Sequence, residues 1–296
     1  MDTLVKASKV VEKSPDLDEY WRVIGTILVE EGLLARTDVD RVGCYATEKG
    51  LRFGEAAVQL KLVSQRDLES ALSQQFNYPV LLRGDRGVAE DVIAAYNPQS
   101  TIVEPLRVLR SQLTLRWRNT TKHKAVAIAS PDRGDGRSWL AANLATVFAQ
   151  GGDATLLIDT DMRHPCQHLL FNVDNAVGLS ALLTGRAVAN EVVRRIHPAL
   201  RLFVLPAGIL PQNPQELLVR PTFDTMLTRF SQLFDVIVLD TPAAMETADA
   251  QILSARAGAA VMLARRNHTR VPDLMATMAS LSETGVNVIG SVMNEH

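Results

Sequence analysis

The stretch Ala125 to Ser138, AVAIASPDRGDGRS, restricts what this chain can fold into more than any other part of it. The apolar run AVAIA leads into a turn with glycines at 134 and 136, and Ser138 opens the helical pattern WLAANLATVFAQ. Strand, glycine-rich turn and helix in that order are the setting of a phosphate-binding loop, where backbone N–H groups and the positive helix end converge on an anion. Against G-x-x-x-x-G-K-[ST], Pro131 stands at the first glycine and Arg137 replaces the lysine, keeping the charge on a wider, planar donor. A basic turn opening a helix is the plain alternative for so altered a motif, and the acids downstream decide between them.

The strand pattern ATLLI runs into Asp159-Thr160-Asp161-Met162-Arg163, and DVIVL delivers Asp240, followed by Thr241-Pro242. Carboxylates at i and i+2 beyond a buried strand point the same way while strand geometry lasts. Acids so placed suit Mg²⁺ coordination through water and proton acceptance from an attacking hydroxyl. A single Asp after a strand is more often a helix cap or turn former. Three of them, each after a buried strand of a sheet that also carries a phosphate loop, point to a site.

From Ala125 on, strands are predicted near 125–129, 154–158, 201–205, 235–239, 258–264 and 286–292. Helices are predicted near 138–150, 213–233, 246–256 and 272–284. Such alternation predicts an α/β fold, a mostly parallel sheet with helices on both faces and the ligand at the carboxyl ends of the strands. No apolar run approaches the ~18 residues of a membrane span, and the first residues lack a signal-peptide core, so the chain is expected in the cytoplasm. Cys44 and Cys166 have neither metal-ligand spacing nor a disulfide framework. The net charge of −2 argues neither for nucleic acid nor for an acidic tail, and no nucleic acid is expected as a partner. It hides a basic stretch, Arg107, Arg110, Arg116, Arg118, Lys122 and Lys124 against the single acid Glu104, which is either a solvated face or a surface for a partner, a neighbouring subunit or anionic lipid. Glu104, Arg107 and Arg110 share one face of a predicted helix with apolar residues at 106, 109, 113 and 117. His164 and His168 are four apart, but Pro165 interrupts the turn and no third ligand is evident, so they are not expected to hold a metal.

Toward the N-terminus the composition changes. Residues 1–18 read as a flexible lead-in, 19–82 as a small helical domain, 83–100 as a linker, and 101–296 as the nucleotide-binding domain. Within the helical domain, IGTILVEEGLLARTDVDRV from Ile24 repeats as FGEAAVQLKLVSQRDLESA from Phe53, at an offset of 29 residues. The repeat superimposes Gly25 on Gly54, Leu33 on Leu62 and Asp38 on Asp67. It resembles the N-terminal domain of type II secretion and pilus ATPases, whose ligand-binding members carry R-L-G-x-x-L-x-x-x-G-x6-L-x3-L-x2-Q. Arg52, Gly54, Leu68, Leu72 and Gln75 fall on that pattern, whereas Ala57 and Lys61 depart from it, and the first unit has Val23 and Ala46 in place of the arginine and glutamine. Cyclic di-GMP is therefore expected to bind weakly or not at all.

SPDRGDGRS, LLIDTDMRHP and VIVLDTPA, in this order and spacing, resemble the Walker A, A′ and B motifs of bacterial tyrosine kinases, the BY-kinases of capsule and exopolysaccharide synthesis. LPAGILPQNPQELL is similar to that family's segment between A′ and B, and EPLRVLRSQL to its E-x2-R-x2-R subunit-contact motif; the resemblance covers about 100–296. It implies an Mg²⁺–ATP-dependent protein-tyrosine kinase acting on polysaccharide chain length or export. Gly134, Asp135, Gly136, Arg137, Ser138 and Trp139 would hold ATP, and Ser138, Asp159 and Asp240 would hold Mg²⁺. Asp159, Asp161 and Arg137 would serve catalysis, and Glu104, Arg107 and Arg110 would join subunits into a homo-oligomer. The activator would be a separate membrane chain-length-determinant protein, the polysaccharide copolymerase, holding this chain at the inner membrane. The family's C-terminal tyrosine cluster has no counterpart, since the tyrosines are Tyr20, Tyr45, Tyr78 and Tyr96. That departure, with Arg137, leaves open an ATP-dependent assembly switch without tyrosine kinase activity.

Overall fold

The computed structural model describes residues 17–65, 67–68, 71, 79–81, 87–98, 100–117 and 124–295. They fall into two compact units, Met1–Tyr78 and Pro79–His296. Leu72, Gln75, Tyr78, Arg118 and Lys122 lie outside the described residues.

In the smaller unit, α1 (Leu17–Glu30), a 3-10 turn (Arg36–Asp38), α2 (Val39–Lys49) and α3 (Phe53–Gln59) surround a core that includes Leu28, Val42, Phe53, Ala57 and Leu68. The sequence repeat is a repeat of backbone geometry. Two residues beyond α1, Gly32 is left-handed at φ 70°, and two beyond α3, Lys61 is left-handed at φ 56°. The N–H of Leu33 then reaches back to the Leu28 carbonyl at 2.9 Å, and that of Leu62 to the Ala57 carbonyl at 3.1 Å, the same helix-closing bond in each unit. Gly25 and Gly54, also equivalent, admit close neighbours: a methyl group there would stand 3.3 Å from the Phe53 ring and 2.5 Å from Leu68.

The larger unit begins with α4 (Ile93–Tyr96) and α5 (Val103–Arg116) and continues into a seven-stranded sheet. The strands are β1 (Ala125–Ala129), β2 (Thr155–Asp159), β3 (Arg194–Arg195), β4 (Leu202–Leu205), β5 (Val236–Asp240), β6 (Ala259–Arg265) and β7 (Asn287–Asn294). The helices among them are α6 (Arg137–Gln150), α7 (Gln167–Leu170), α8 (Leu179–Leu183), α9 (Ala189–Val192), α10 (Pro214–Val219), α11 (Pro221–Leu233), α12 (Asp249–Ala257) and α13 (Val271–Glu283). Strand order is β3-β4-β2-β5-β1-β6-β7, and all pairs are parallel except the short edge strand β3, which runs antiparallel to β4.

Alternate residues of the central strands serve opposite faces. Val126, Ile128, Leu157, Val236 and Val238 face α6 and Trp117, whereas Ala127, Leu156, Ile158, Ile237 and Leu239 face α11 and α12. Helix α6 is buried on nearly every side, which accounts for its lack of a polar stripe. Residues 87–98, read from composition as linker, pack into this core instead, with Val88, Val92, Ala94 and Ala95 buried. Two amides of α6 fasten them: Asn143 accepts from the Ala94 N–H at 3.0 Å and donates to the Asp91 carbonyl, and Gln150 donates to the Ala94 carbonyl at 2.7 Å. The helix predicted over 213–233 is broken at Arg220, whose extended backbone (ψ 146°) is the conformation that a following proline, here Pro221, imposes.

Lys61 holds a backbone geometry that a Cβ disfavours and glycine does not. Lys61→Gly is expected to stabilise the smaller unit by about 0.5–1 kcal/mol. The gain would be read as slower hydrogen exchange at the α3 carboxyl end in the full chain. Faster exchange there would mean that the lysine makes a contact worth more than the strain.

Candidate active site

The loop between β1 and α6 turns on Gly134 and Gly136, at φ 84° and 103°. Gly136 is the N-cap of α6, and the first helical bond runs from the Leu140 N–H to its carbonyl at 2.9 Å. The N–H groups of Arg137, Ser138 and Trp139 therefore project from the helix end, where they and the helix dipole favour an anion. The loop is clasped by residues at the ends of β6 and β7 and just beyond β6. Asp135, fully buried, accepts hydrogen bonds from the Asp132 N–H at 3.0 Å and the Thr269 hydroxyl at 2.6 Å, with His268 Nδ1 at 3.2 Å. Arg265 donates to the Gly134 carbonyl and Asn294 to the Asp135 carbonyl. Burial pushes the Asp135 carboxyl up, but the bonds from Thr269, Asp132, Ser130 and His268 outweigh it and hold it below the usual range. The Asp135 side chain, which the sequence groups with the ATP contacts, thus faces inward and shapes the loop through its carboxylate.

Arg137 is also buried. Its Nε donates to the Thr241 carbonyl at 2.9 Å, and one terminal nitrogen to the Ser130 hydroxyl at 2.6 Å and the Asp132 carbonyl at 2.5 Å. Trp139 is half-buried against the core.

The acids meet because β2 and β5 are neighbours whose register sets Asp159 beside Asp240. Both are fully buried. Asp159 Oδ2 accepts the N–H groups of Cys166 at 3.0 Å and Gln167 at 2.9 Å, and Asp240 Oδ2 accepts Gln167 Nε2 at 2.7 Å. In each acid the other oxygen, Oδ1, is buried without a hydrogen-bond partner. Burial and then the charge of Asp240 push Asp159 well above the usual carboxylate range. Burial raises Asp240 to about 6 against the opposing pull of Gln167, Ser138 and Arg137. Two orphaned carboxylate oxygens side by side beneath a phosphate loop fit a divalent cation, which would reverse both shifts. Among the described residues no three His, Cys, Asp or Glu side chains form a closed cage, so Ser138, phosphate and water would complete its shell, as Mg²⁺ prefers.

Asp161 is also buried but less completely, with 10% of its side chain exposed. Its Oδ1 accepts the N–H groups of Arg163 and His164, and His164 in turn touches Arg133 at 3.3 Å. Arg163 pairs with Asp249 at 3.1 Å. Burial, then Asp240, pushes the Cys166 thiol up to about 12, so it stays protonated. The segment around Ile209, with α8 and α10, forms a groove of about 1010 Å³ at the carboxyl end of β4, lined in part by Val177, Ser180, Leu210 and Arg220. On α5, Arg107 meets Glu104 of its own helix at 3.1 Å, and Arg110 donates to the Val147 carbonyl of α6 at 3.1 Å. Sequence reasoning missed Gln167, which touches both buried acids.

No protein-family model matches the chain. Among known proteins, EpsB of Ralstonia solanacearum is 34% identical over 204 residues, which are 69% of this chain and 27% of EpsB. The chain thus spans about a quarter of that relative. Tyrosine-protein kinase YwqD of Bacillus subtilis is 33% identical over 215 residues, covering 72% of this chain and 90% of YwqD. Among solved structures, the kinase domain of the Escherichia coli tyrosine kinase ETK superimposes with a TM-score of 0.66 at 29% identity, over 72% of this chain and 84% of that one.

Raised carboxyls have a consequence for stability. Between the unfolded value near 3.8 and the folded value near 6, the folded state binds the proton of Asp240 and the unfolded state does not. Stability without nucleotide or metal should therefore rise as pH falls through about 6 toward about 4, by at most about 1.4 kcal/mol per pH unit for each proton bound. Asp240→Asn, which removes the buried charge and can accept from and donate to Gln167, should raise the urea midpoint at pH 7.5 and flatten this pH dependence. A lower midpoint with the slope intact would show that Asp240 is not the group responsible.

Proposed function

The chain belongs to the bacterial tyrosine kinase family, and from that premise we propose that it is an Mg²⁺–ATP-dependent protein-tyrosine kinase controlling exopolysaccharide chain length or export. The observation that carries the reading is the register pair Asp159 and Asp240, each with an orphaned oxygen, at the strand ends below the Gly134–Gly136 loop. The N–H groups of that loop and of the first turn of α6 would receive the β- and γ-phosphates. Ser138, Asp159 and Asp240 would hold Mg²⁺, which when bound neutralises charge on the phosphates.

The three acids divide their work by exposure. Asp159 and Asp240 are sealed and suit the metal. Asp161 is the least buried of the three, its side chain 10% exposed, and suits the acceptor: it would take the proton of a tyrosine hydroxyl as that oxygen bonds to the γ-phosphorus and the bond to ADP breaks. Arg137 would hold the loop to the end of β5 and turn its remaining terminal nitrogen to phosphate.

A separate membrane chain-length-determinant protein would be the activator, holding the kinase on the cytoplasmic face of the inner membrane. No helix among the described residues is long and apolar enough to cross a membrane, which suits attachment through a partner. No nucleic acid is required by this reading. The chain would act as a homo-oligomer through Glu104, Arg107 and Arg110 of α5.

Purified protein with Mg²⁺–ATP and the cytoplasmic part of the partner should incorporate phosphate on tyrosine. Asp161→Asn should slow the transfer by about 10²-fold or more, with nucleotide affinity unchanged within a few-fold. ATP hydrolysis without any tyrosine phosphate would give the assembly-switch reading in its place.

Glu104 is the cleaner probe of assembly, because Arg110 also supports α6. Glu104→Arg reverses an exposed charge and should shift sedimentation toward smaller species at moderate salt, the effect fading as salt screens the contact. Wild-type protein that stays monomeric with nucleotide and partner present would end the oligomer proposal.

A further inference from the structure

Gln167 is a fully buried polar side chain that neither the phosphate loop nor the acid trio accounts for. It opens α7, directly after Pro165-Cys166. Its Nε2 donates to Asp240 Oδ2 at 2.7 Å and to the Ser138 carbonyl at 3.0 Å, while its backbone N–H donates to Asp159 Oδ2 at 2.9 Å. One residue thus bonds to all three members of the metal-side set, on three separate elements. The amide oxygen Oε1 is buried without a partner, a desolvation cost that a side chain serving packing alone would not incur.

We propose that Gln167 is a positioning residue for the divalent cation: it engages Oδ2 of Asp240 so that Oδ1 is the oxygen presented to the metal, and ties that carboxylate to the backbone of Ser138. The geometry gives the reason. A carboxylate at a strand end rotates about its Cβ–Cγ bond unless one oxygen is fixed. Gln167 fixes Asp240 by its side chain and Asp159 by its N–H, so the two Oδ1 atoms are oriented by a common residue. Neutral donors do this without competing for the cation, as a lysine or arginine in that place would. Groups around a metal site that orient its ligands commonly change metal affinity by 10–100-fold when removed.

The inference rests on the assignment of Ser138, Asp159 and Asp240 to the metal, and the test separates the two. A fluorescent, non-hydrolysable ATP analogue is titrated into the full chain in EDTA and again at a series of Mg²⁺ concentrations. Gln167→Met keeps shape and removes the donor; Gln167→Leu is the second variant, each checked by thermal unfolding. Expected is an increase of about tenfold or more in the Mg²⁺ concentration needed for half-maximal tightening, with analogue affinity in EDTA unchanged within about twofold. In the Asp240→Asn background, adding Gln167→Met should have no further effect on the Mg²⁺ dependence, because the group it orients is gone. If Asp240→Asn alters the Mg²⁺ dependence and neither Gln167 variant does, the positioning role is wrong and the site assignment stands. If Asp240→Asn leaves it unaltered as well, the site assignment itself fails. Equal losses with and without Mg²⁺ in the Gln167 variants would mean that the residue only supports the loop.

Discussion

The parallel register between β2 and β5 carries most of this structure's consequences. It sets Asp159 opposite Asp240 at the ends of two strands buried along their whole length, where water cannot solvate the charges. Two carboxylates in such a place repel and resist ionisation, as the upward shifts of both show. An apolar pair would be more stable in this position. The surroundings compensate only half of each group: N–H donors cover the two Oδ2 atoms, and the two Oδ1 atoms are left bare. Residual instability is thereby concentrated on the two uncovered oxygens, where a bound cation would relieve it.

The phosphate loop depends on residues remote in sequence. Its backbone is held by Arg265 at the end of β6, by Thr269 beyond it, and by Asn294 at the end of β7. Gly136 has to be glycine on two counts, its left-handed φ and the Asn294 amide, which stands 2.5 Å from where a Cβ would be. The last strand of the sheet therefore sets the shape of a loop more than a hundred residues earlier. That dependence makes loop geometry a property of the completed sheet and not of the motif.

Much of the framework was legible from the order of residues, because buried parallel strands are short continuous apolar runs, and the six predicted here lie within about a residue or two of those in the structure. The motif acids emerged for the same reason, each closing such a run. What escaped was governed by tertiary contacts. β3 is a pair of arginines, Arg194–Arg195, with no apolar signal of its own. Helices α7, α8 and α9 are four or five residues long and complete too little of a helical period to be read. The stretch 87–98 has the composition of a loop and is drawn into the core by Asn143 and Gln150, amides that look out of place in an apolar helix until their partners are seen. Gln167 is the same kind of residue. A lone amide just after a proline and before an apolar run was the available signal, and nothing local distinguishes it from an ordinary helix start.

Arg137 shows how the altered motif still makes a braced loop. A lysine at that position carries one ammonium at the end of a flexible stem, whereas the guanidinium presents a rigid fork of five donors. Here the fork is divided. Nε and one terminal nitrogen bind Thr241, Ser130 and Asp132, and the other terminal nitrogen takes no part in these bonds. The loop gains a brace that lysine cannot supply, which matters where Pro131 stands at the first glycine position of the motif and contributes no N–H. The brace also ends on the carbonyl of Thr241, the residue after Asp240. The loop and the end of β5, where Asp240 sits, are thus joined through a single guanidinium.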